Sequence, residues 1–333
     1  MTVRSFRIAG LTLLALTFLV RASRADKMYW TDTNSTDPGT IQRSNLDGSE
    51  LEELITQGLV LPTGLVLDVN NDKIYWSDFS TKKIQRSNLD GTDVLDIVVG
   101  LGGPLDLITN PSLQLIYWTD FSAQKIQRSR LDGTELTDLV LTDSGPDGIA
   151  LDVLGGKIYW TLLFGGPIQR ADLDGSNVED VVTTGLVTPR GIALDVVGGK
   201  MYWTDVGTGV FFEDGVIRRA NLDGSDVEDL ITTGLFEPNR IALDVAGGKM
   251  YWTHNTDGAD KIQRANLDGS EVEDLVTTGL TVPFALSLDF TPGADIPALS
   301  QWGLISMTLL MLSAGTIVLK NSKKPLRRKN QAA

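Results

Sequence analysis

The Tyr-Trp dipeptide occurs six times along this chain of 333 residues. The six pairs contain every tyrosine and six of the seven tryptophans. They begin at Tyr29, Tyr75, Tyr117, Tyr159, Tyr202 and Tyr251, so that successive steps are 46, 42, 42, 43 and 49 residues. A period of roughly 40–50 residues is typical of a four-stranded propeller blade, so the pattern predicts one large domain of six repeats.

The fourth unit illustrates the plan of a repeat. Four short segments with strand-like composition follow one another between turn signals, and we name them A to D in chain order: 148–153, 157–161, 168–173 and 178–182. Asp174 and Gly175 separate segments C and D, and an Asp-Gly pair recurs at the same place in all six units. The pair predicts a two-residue hairpin in which both residues have positive φ angles.

The two ends of the repeat array predict how the ring closes. The chain enters the first unit at strand B, Met28–Asp32, whereas its last segment, Phe284–Phe290, is an A strand without a following B strand. Pairing these two segments would complete the first blade and leave only short edges. The sequence therefore predicts an all-β, six-bladed propeller of four-stranded blades, closed by strands from both ends.

Residues 1–25 have the order of a secretory signal peptide. Arg4 and Arg7 precede an apolar run, Ile8–Val20, and small residues lead to Ala25. This order predicts a signal helix and export of the mature chain.

A second apolar run, Gly303–Leu319, covers 17 residues and is followed by six basic residues. Its length is near the lower limit for a transmembrane helix, and basic flanks stay in the cytoplasm. We therefore expect an inner-membrane anchor with the propeller, 26–295, outside the cytoplasm. A buried core helix is the alternative.

The exported part of the chain is strongly acidic. Residues 26–295 carry 19 basic and 43 acidic residues, a net charge of −24. This charge disfavours nucleic acid and would favour cationic partners or divalent ions, but a solvated surface that keeps an exported protein soluble is the preferred interpretation. Calcium is the metal that the residues favour, because the chain has one histidine and no cysteine. The nearest oxygen cluster is Asn255, Asp257 and Asp260.

Three units read Tyr-Trp-Thr-Asp, at 29–32, 117–120 and 202–205, and a fourth reads Tyr-Trp-Ser-Asp at 75–78. Residues 26–290 resemble the YWTD (class B) repeats of the low-density-lipoprotein receptor family, with Leu162 and His254 replacing the aspartate in two units. The resemblance implies a six-bladed β-propeller, usually a protein-binding module. Receptor propellers are flanked by cysteine-rich modules, which this chain lacks.

The segment that precedes the second apolar run has a motif of its own. Its residues are Ile296, Pro297, Ala298, Leu299, Ser300, Trp302 and Gly303. With the apolar run and the basic end, they resemble the IPTL-type C-terminal sorting tails of Gram-negative bacteria, except that Ala298 stands in the place of threonine. The resemblance implies processing by an exosortase-type enzyme and display at the cell surface.

Residues that are identical in all units are expected to build the blade. We predict that the Tyr-Trp pairs fill the wedges between blades; a carbohydrate-binding aromatic platform is the alternative. One arginine recurs on every C strand, at Arg43, Arg86, Arg128, Arg170, Arg219 and Arg264. We expect these arginines to pair with the aspartates of the YWTD motif or to lie against a tryptophan. Acidic or amide residues that recur six positions after a proline, such as Asp152 and Asp195, favour a turn role.

Residues that differ between units are the candidates for a unique site. The residue after the proline of each A strand differs in every unit and is predicted to line the central channel, and the B–C loops of units five, six and one carry insertions. The candidate ligand-binding residues are Thr63, Asp147, Arg190, Phe211, Phe212, Asn239, His254 and Phe284. Unconstrained drift in loop length and sequence is the alternative.

These features predict an exported propeller that binds a protein or a polysaccharide without catalysis. The alternative is a propeller-type lactonase or lyase that uses central carboxylates, with or without calcium. The chain has a single histidine, no cysteine and no Gly-x-Ser-x-Gly motif. It therefore lacks residues that a nucleophilic mechanism based on histidine with serine or cysteine requires.

Overall fold

A computed structural model describes residues 26–33, 38–208, 214–255 and 260–290. These ranges contain 24 β-strands in six four-stranded sheets and one short 3₁₀ helix, Val69–Asn71. No helix in the described ranges is long and apolar enough to cross a membrane. The predicted signal helix, the transmembrane helix 303–319 and the sorting motif lie outside the described residues.

Each sheet is one blade, with the strands in the order A, B, C, D. Blade 1 contains β24 (Pro283–Asp289), β1 (Lys27–Asp32), β2 (Thr40–Asn45) and β3 (Glu52–Ile55). Blade 2 contains β4 (Pro62–Asp68), β5 (Lys73–Asp78), β6 (Lys83–Asn88) and β7 (Leu95–Val99). Blade 3 contains β8 (Pro104–Asn110), β9 (Leu115–Asp120), β10 (Lys125–Arg130) and β11 (Thr137–Leu141).

The other three blades repeat this order. Blade 4 contains β12 (Pro146–Asp152), β13 (Lys157–Leu162), β14 (Ile168–Asp172) and β15 (Glu179–Val182). Blade 5 contains β16 (Pro189–Asp195), β17 (Lys200–Asp205), β18 (Val216–Asn221) and β19 (Glu228–Ile231). Blade 6 contains β20 (Glu237–Asp244), β21 (Lys249–Asn255), β22 (Lys261–Asn266) and β23 (Glu273–Val276).

The ring closes as the sequence predicts. The last strand, β24, pairs antiparallel with the first, β1, and Trp30 lies opposite Leu286 in this pairing. The backbone N–H of Thr33 also donates to the carbonyl of Val282 at 3.0 Å. Blade 1 is therefore built from both ends of the described chain.

The Tyr-Trp pairs fill the wedges between blades, which confirms the structural prediction. Adjacent strand residues point to opposite faces of a sheet, so each tyrosine packs against one neighbouring blade and each tryptophan against the other. Tyr29 of blade 1 shares a hydrophobic cluster with Trp76 of blade 2, and the same arrangement continues around the ring until Tyr251 joins Trp30. No residue of these pairs is more than 2% exposed, so the carbohydrate-platform alternative is wrong. Each buried aromatic contributes about 1.5–3 kcal/mol.

The expected partners of the C-strand arginines were wrong. The guanidinium of Arg43 lies 5.9 Å from the ring centroid of Tyr29, while its Nε donates to Glu52 at 2.8 Å and its Nη1 donates to the carbonyl of Leu89 in blade 2 at 3.1 Å. Tyr29 and Arg43 are direct cross-strand neighbours and so share one face. The same stacking on tyrosine recurs at Arg170, Arg219 and Arg264.

The Asp-Gly hairpin differs from its predicted form. Gly175 has a φ of 86° and donates to the carbonyl of Asp172 at 2.8 Å, whereas Asp174 is not among the described residues with positive φ. The turn is therefore of type I, followed by a left-handed glycine that forms a bulge. Asp174 is needed for a different reason, because its Oδ1 accepts from the backbone N–H of Ser176 at 2.9 Å. A Cβ atom on Gly175 would lie 2.5 Å from the carbonyl oxygen of Leu139 in blade 3.

Candidate functional site

The threonine of the repeat motif holds the residues that surround the channel. Thr119 Oγ1 accepts from the backbone N–H of Asp106 at 3.0 Å in its own blade and donates to the carbonyl of Asp147 in the next blade at 2.7 Å. Ser77 does the same in blade 2, between the N–H of Gly64 and the carbonyl of Leu105. The repeated hydroxyl therefore fixes the backbone position of the variable residues.

The aspartate of the motif fixes the loop that leads into each A strand. Asp120 accepts from the backbone N–H groups of Gly102 and Gly103, both at 2.8 Å. Asp32 does the same for Val282, at 2.7 Å, where the ring closes. A carboxylate that accepts two or more N–H groups anchors its loop strongly.

His254 takes the place of this aspartate in blade 6. Its Nε2 accepts from the backbone N–H of Phe236 at 2.6 Å, and its Nδ1 lies 3.0 Å from Gln263 Oε1. Since Nε2 is the acceptor, the ring is the neutral tautomer that carries its proton on Nδ1. The side chain is 2% exposed. The structure therefore places this predicted ligand-binding residue in the loop anchor and away from open solvent.

The A strands begin around a cavity that we call the upper pocket, with a volume of about 410 Å³. Its lining residues are Thr33, Leu61, Thr63, Phe79, Leu105, Phe121, Asp147, Leu163, Arg190, Glu237, Asn255, Val282 and Phe284. Four of the candidate residues, Thr63, Asp147, Arg190 and Phe284, are thus brought together. Asn239 is fully buried and contacts Arg190. Phe211 and Phe212 lie outside the described residues.

One side of the upper pocket is aromatic. Phe79 and Phe121 directly follow the motif aspartates of blades 2 and 3, and their ring centroids are 6.4 Å apart at an interplanar angle of 51°. Sequence reasoning missed both residues. The signal was present one position beyond the repeated motif, where the residue varies between units and is phenylalanine in two of them: Thr33, Phe79, Phe121, Leu163, Val206 and Asn255.

The opposite side of the upper pocket offers hydrogen-bond donors. Arg190 Nη1 donates to Asn239 Oδ1. Among the described residues, neither Arg190 Nε nor Asn239 Nδ2 has an acceptor. Buried donors without partners are rare in proteins, so this corner is suited to a ligand that carries oxygen acceptors.

A buried charged cluster of Asp106, Arg240 and Asp147 crosses the channel below the upper pocket. Arg240 is 3% exposed; its Nη2 donates to Asp147 Oδ1 at 2.5 Å and its Nε lies 3.4 Å from Asp106 Oδ2. The guanidinium also lies 5.0 Å from the ring centroid of Phe284. Burial raises the pKa of Asp106, and the charge of Arg240 offsets this in part. Burial also lowers the pKa of Arg240, but the two carboxylates outweigh it and raise this pKa.

The charged cluster has a sequence signal that was also missed. The second residue after the A-strand proline is Gly64, Gly148 and Gly191 in blades 2, 4 and 5, and Ala285 in blade 1. Blades 3 and 6 have Asp106 and Arg240 there instead, and these two blades face each other across a ring of six. Because these two opposite blades have charged residues where other blades have glycine, Asp106 and Arg240 form an ion pair in the centre of the channel.

The repeated carboxylates at the end of the A strands have the predicted turn role. Asp152 Oδ1 accepts from the backbone N–H of Gly155 at 2.6 Å, and Asp195 and Asp244 do the same for Gly198 and Gly247. Within the described ranges, no group of three or more histidine, aspartate or glutamate side chains could hold a metal. Of the residues that suggested calcium, Asn255 lines the upper pocket and Asp257 lies outside those ranges.

Four segments of the chain match the Low-density lipoprotein receptor repeat class B family, over residues 26–69, 72–106, 114–153 and 199–245. These segments contain the four motifs that end in aspartate. The two units outside them are those in which Leu162 and His254 replace it. The chain therefore carries class B repeats, and the departures from the motif fall in the units without a match.

Short segments of the chain are similar to curated proteins. Identity is 41% over 71 residues with Nidogen-2 of Mus musculus, covering 21% of this chain and 5% of that protein. It is 37% over 75 residues with Protein cueball of Drosophila erecta, covering 22% and 12%. It is 38% over 77 residues with Low-density lipoprotein receptor-related protein 5 of Mus musculus, covering 23% and 5%. The matches thus span a small part of each relative.

Solved structures are similar over most of the chain. The crystal structure of the nidogen/laminin complex has a TM-score of 0.71 at 22% identity and covers 80% of this chain and 99% of that chain. The structure of TolB from Acinetobacter baumannii has a TM-score of 0.62 at 16% identity, with coverage of 79% and 66%. At these identities the similarity establishes the propeller fold alone.

Proposed function

We propose that this chain, a six-bladed β-propeller with low-density lipoprotein receptor class B repeats, is a non-catalytic binding protein whose upper pocket recognises a protein ligand. The observation that carries the proposal is the pocket's two-sided chemistry. Phe79 and Phe121 offer aromatic surface, and Arg190, which also lines the pocket, has an Nε donor without an acceptor among the described residues. Hot spots of protein interfaces combine aromatic and arginine side chains in this way.

A protein segment suits the upper pocket better than a polysaccharide does. The pocket measures about 410 Å³, and one of its sides is formed by Phe79, Phe121, Leu105 and Leu163. An apolar side chain can be buried there while a carbonyl or carboxylate group reaches Arg190. A structural relative is seen in a nidogen/laminin complex, which supports protein binding by this type of propeller.

The central carboxylates favour binding over the lactonase or lyase alternative. Asp147 and Asp106 both lie against Arg240, and Asp147 is engaged by its Nη2 at 2.5 Å. A general base needs a lone pair that is free to take the proton of a substrate or water. The ion pair occupies these carboxylates in a structural role.

The location of the protein is part of the same proposal. The signal-like residues 1–25 would direct export, and the run 303–319 with its basic end would hold the chain in the inner membrane. Processing of the sorting tail by an exosortase-type enzyme would then leave the propeller at the cell surface or outside the cell. Its partner is therefore proposed to be an extracellular or cell-envelope protein.

The test compares the full-length protein with Arg190→Ala and Phe121→Ala in capture of cell-envelope proteins, followed by Kd measurements with the purified captured protein. Each substitution is expected to weaken binding at least about tenfold, as interface hot spots do. The matched control is Leu154→Ala, because Leu154 is 88% exposed in the A–B turn at the other end of blade 4. Unchanged affinity of both pocket variants would refute the proposal, and loss of capture after glycosidase rather than protease treatment would identify a polysaccharide ligand.

A further inference from the structure

A second cavity lies in the channel on the other side of the charged cluster. This lower chamber has a volume of about 270 Å³ and is lined by residues of all six A strands. Phe290 lies at its margin, directly after β24. Apart from Asp106, Arg240 and Ser287, its lining residues are all apolar. The chamber therefore combines an apolar wall with the buried pair of Asp106 and Arg240 at its inner end.

Small side chains line the chamber in the blade that carries Arg240 and in the two blades before it. At the fourth position after the proline, blades 4, 5 and 6 have Ala150, Ala193 and Ala242, whereas blades 2 and 3 have the larger Val66 and Ile108. All five residues line the chamber. Three successive alanines leave room beside the strand that carries the arginine.

Arg240 has hydrogen-bonding capacity that the protein does not use. Among the described residues, Nη1 has no acceptor, and Nε faces Asp106 Oδ2 at 3.4 Å without forming a hydrogen bond. Arg240 is 3% exposed, so these N–H groups are shielded from bulk water. A buried donor without an acceptor is unfavourable, and an oxygen acceptor in the chamber would relieve it.

The charge of the cluster determines which acceptor fits. Asp147 already forms an ion pair with Arg240, and the Asp106 carboxylate accepts from the backbone N–H groups of Leu107 and Ile149 at 3.0 and 3.2 Å. A carboxylate ligand would bring a third negative group to one guanidinium in a buried place. The unmatched charge would have to be desolvated, which is costly. A neutral carbonyl oxygen satisfies the donors without this cost.

We propose that the lower chamber binds a small neutral molecule whose carbonyl group accepts from Arg240 and whose aliphatic chain lies along the chamber wall. Aliphatic amides, esters and lactones have this chemistry. The site is at the other end of the channel from the upper pocket and shares with it only the charged cluster. Its occupation therefore does not depend on the protein ligand proposed above.

The test uses hexanamide as the neutral probe and hexanoate as the anion of equal length, with full-length protein. Binding is measured by saturation-transfer NMR and calorimetry. Hexanamide is expected to bind with a Kd of about 1 mM, in the range of a small ligand with few atoms, and hexanoate at least about tenfold more weakly at pH 7. The signal of the Arg240 Nε–H should shift on addition of hexanamide.

Two substitutions locate the site. Ala242→Val, which introduces the residue that blade 2 has at this position, is expected to weaken hexanamide binding at least about tenfold by filling the chamber. The matched control Ala246→Val introduces the residue that blade 5 has in its exposed A–B turn and should leave binding unchanged. Arg240→Met should abolish binding. No saturable binding of hexanamide, equal binding of hexanoate, or unchanged binding by Ala242→Val would each overturn the proposal.

Discussion

The wedges between blades are formed by residues that repeat in every unit, whereas the central channel is lined by residues that differ between units. All six wedges use the same tyrosine and tryptophan, which are almost completely buried, and each wedge resembles the next. In the channel, by contrast, the residue after the A-strand proline is different in every blade, and Asp106 and Arg240 replace small residues in two of them. The comparison teaches that repetition provides the rigid frame, while recognition chemistry is carried by the positions where repetition fails.

The strongest test of the frame removes the strand that closes it. A chain that ends after Val282 lacks β24 and therefore loses Ala285 and Leu286 from the two wedges of blade 1. We expect a loss of about 5 kcal/mol or more, comparable with the whole stability of a domain. Urea unfolding followed by tryptophan fluorescence measures the effect.

The matched control for this truncation is a chain that ends after Phe290. It keeps all 24 described strands and lacks only residues outside the described ranges. Its unfolding midpoint is expected to equal that of the full chain. Equal midpoints for the two truncations would show that β24 does not close the ring.

The next largest effect concerns the centre of the channel. Arg240→Met leaves the carboxylates of Asp106 and Asp147 buried without their counter-charge, and removing one partner of a buried ion pair costs about 3–5 kcal/mol. The exposed counterpart is Arg264→Met, because its partner Glu273 has a side chain 47% exposed. That change should cost about 1 kcal/mol from the ion pair and the stacking on Tyr251.

The loss in Arg240→Met should depend on pH. Burial raises the pKa of Asp106 above its usual 3.8, so the folded state holds this proton more tightly than the unfolded state does. Stability from Asp106 is therefore present below pH 3.8 and lost as the pH rises through the raised pKa. Without Arg240 this pKa rises further, so the defect should be largest at pH 7 and shrink toward acid. A defect that does not vary between pH 7 and pH 4 would contradict the ion-pair explanation.

Much of the fold could be predicted from the sequence because it depends on repeated local signals. The spacing of the Tyr-Trp pairs gave the number of blades, and the unmatched A strand at the end gave the closure. The arginine partners were harder to predict, because the sequence does not show that Arg43 lies directly opposite Tyr29. The type of the Asp-Gly turn depends on a backbone angle that Asp174 and Gly175 leave open.

The candidate site was predicted in part. Thr63, Asp147, Arg190 and Phe284 reach one pocket because they share a position in the repeat, and that position was visible in the sequence. Arg240 was missed because its partners come from blades 3 and 4, at residues more than ninety positions away. Such pairings across a ring follow from closure and have no local signal.

The smallest expected effect concerns His254, which differs from the residue of the repeated motif and yet anchors a loop of the repeated scaffold. Substitutions at this residue distinguish a structural role from a role in recognition. His254→Asp restores the residue that four other units have, and Asp can accept from the N–H of Phe236, so stability should change by less than about 0.5 kcal/mol. His254→Ala should cost about 1–3 kcal/mol because the same N–H is left without its acceptor. Thermal unfolding measures both changes, and capture of the protein ligand should be unchanged in His254→Asp. Loss of capture in this variant, with a normal unfolding temperature, would assign His254 to ligand recognition and would extend the binding site to the loop anchor of blade 6.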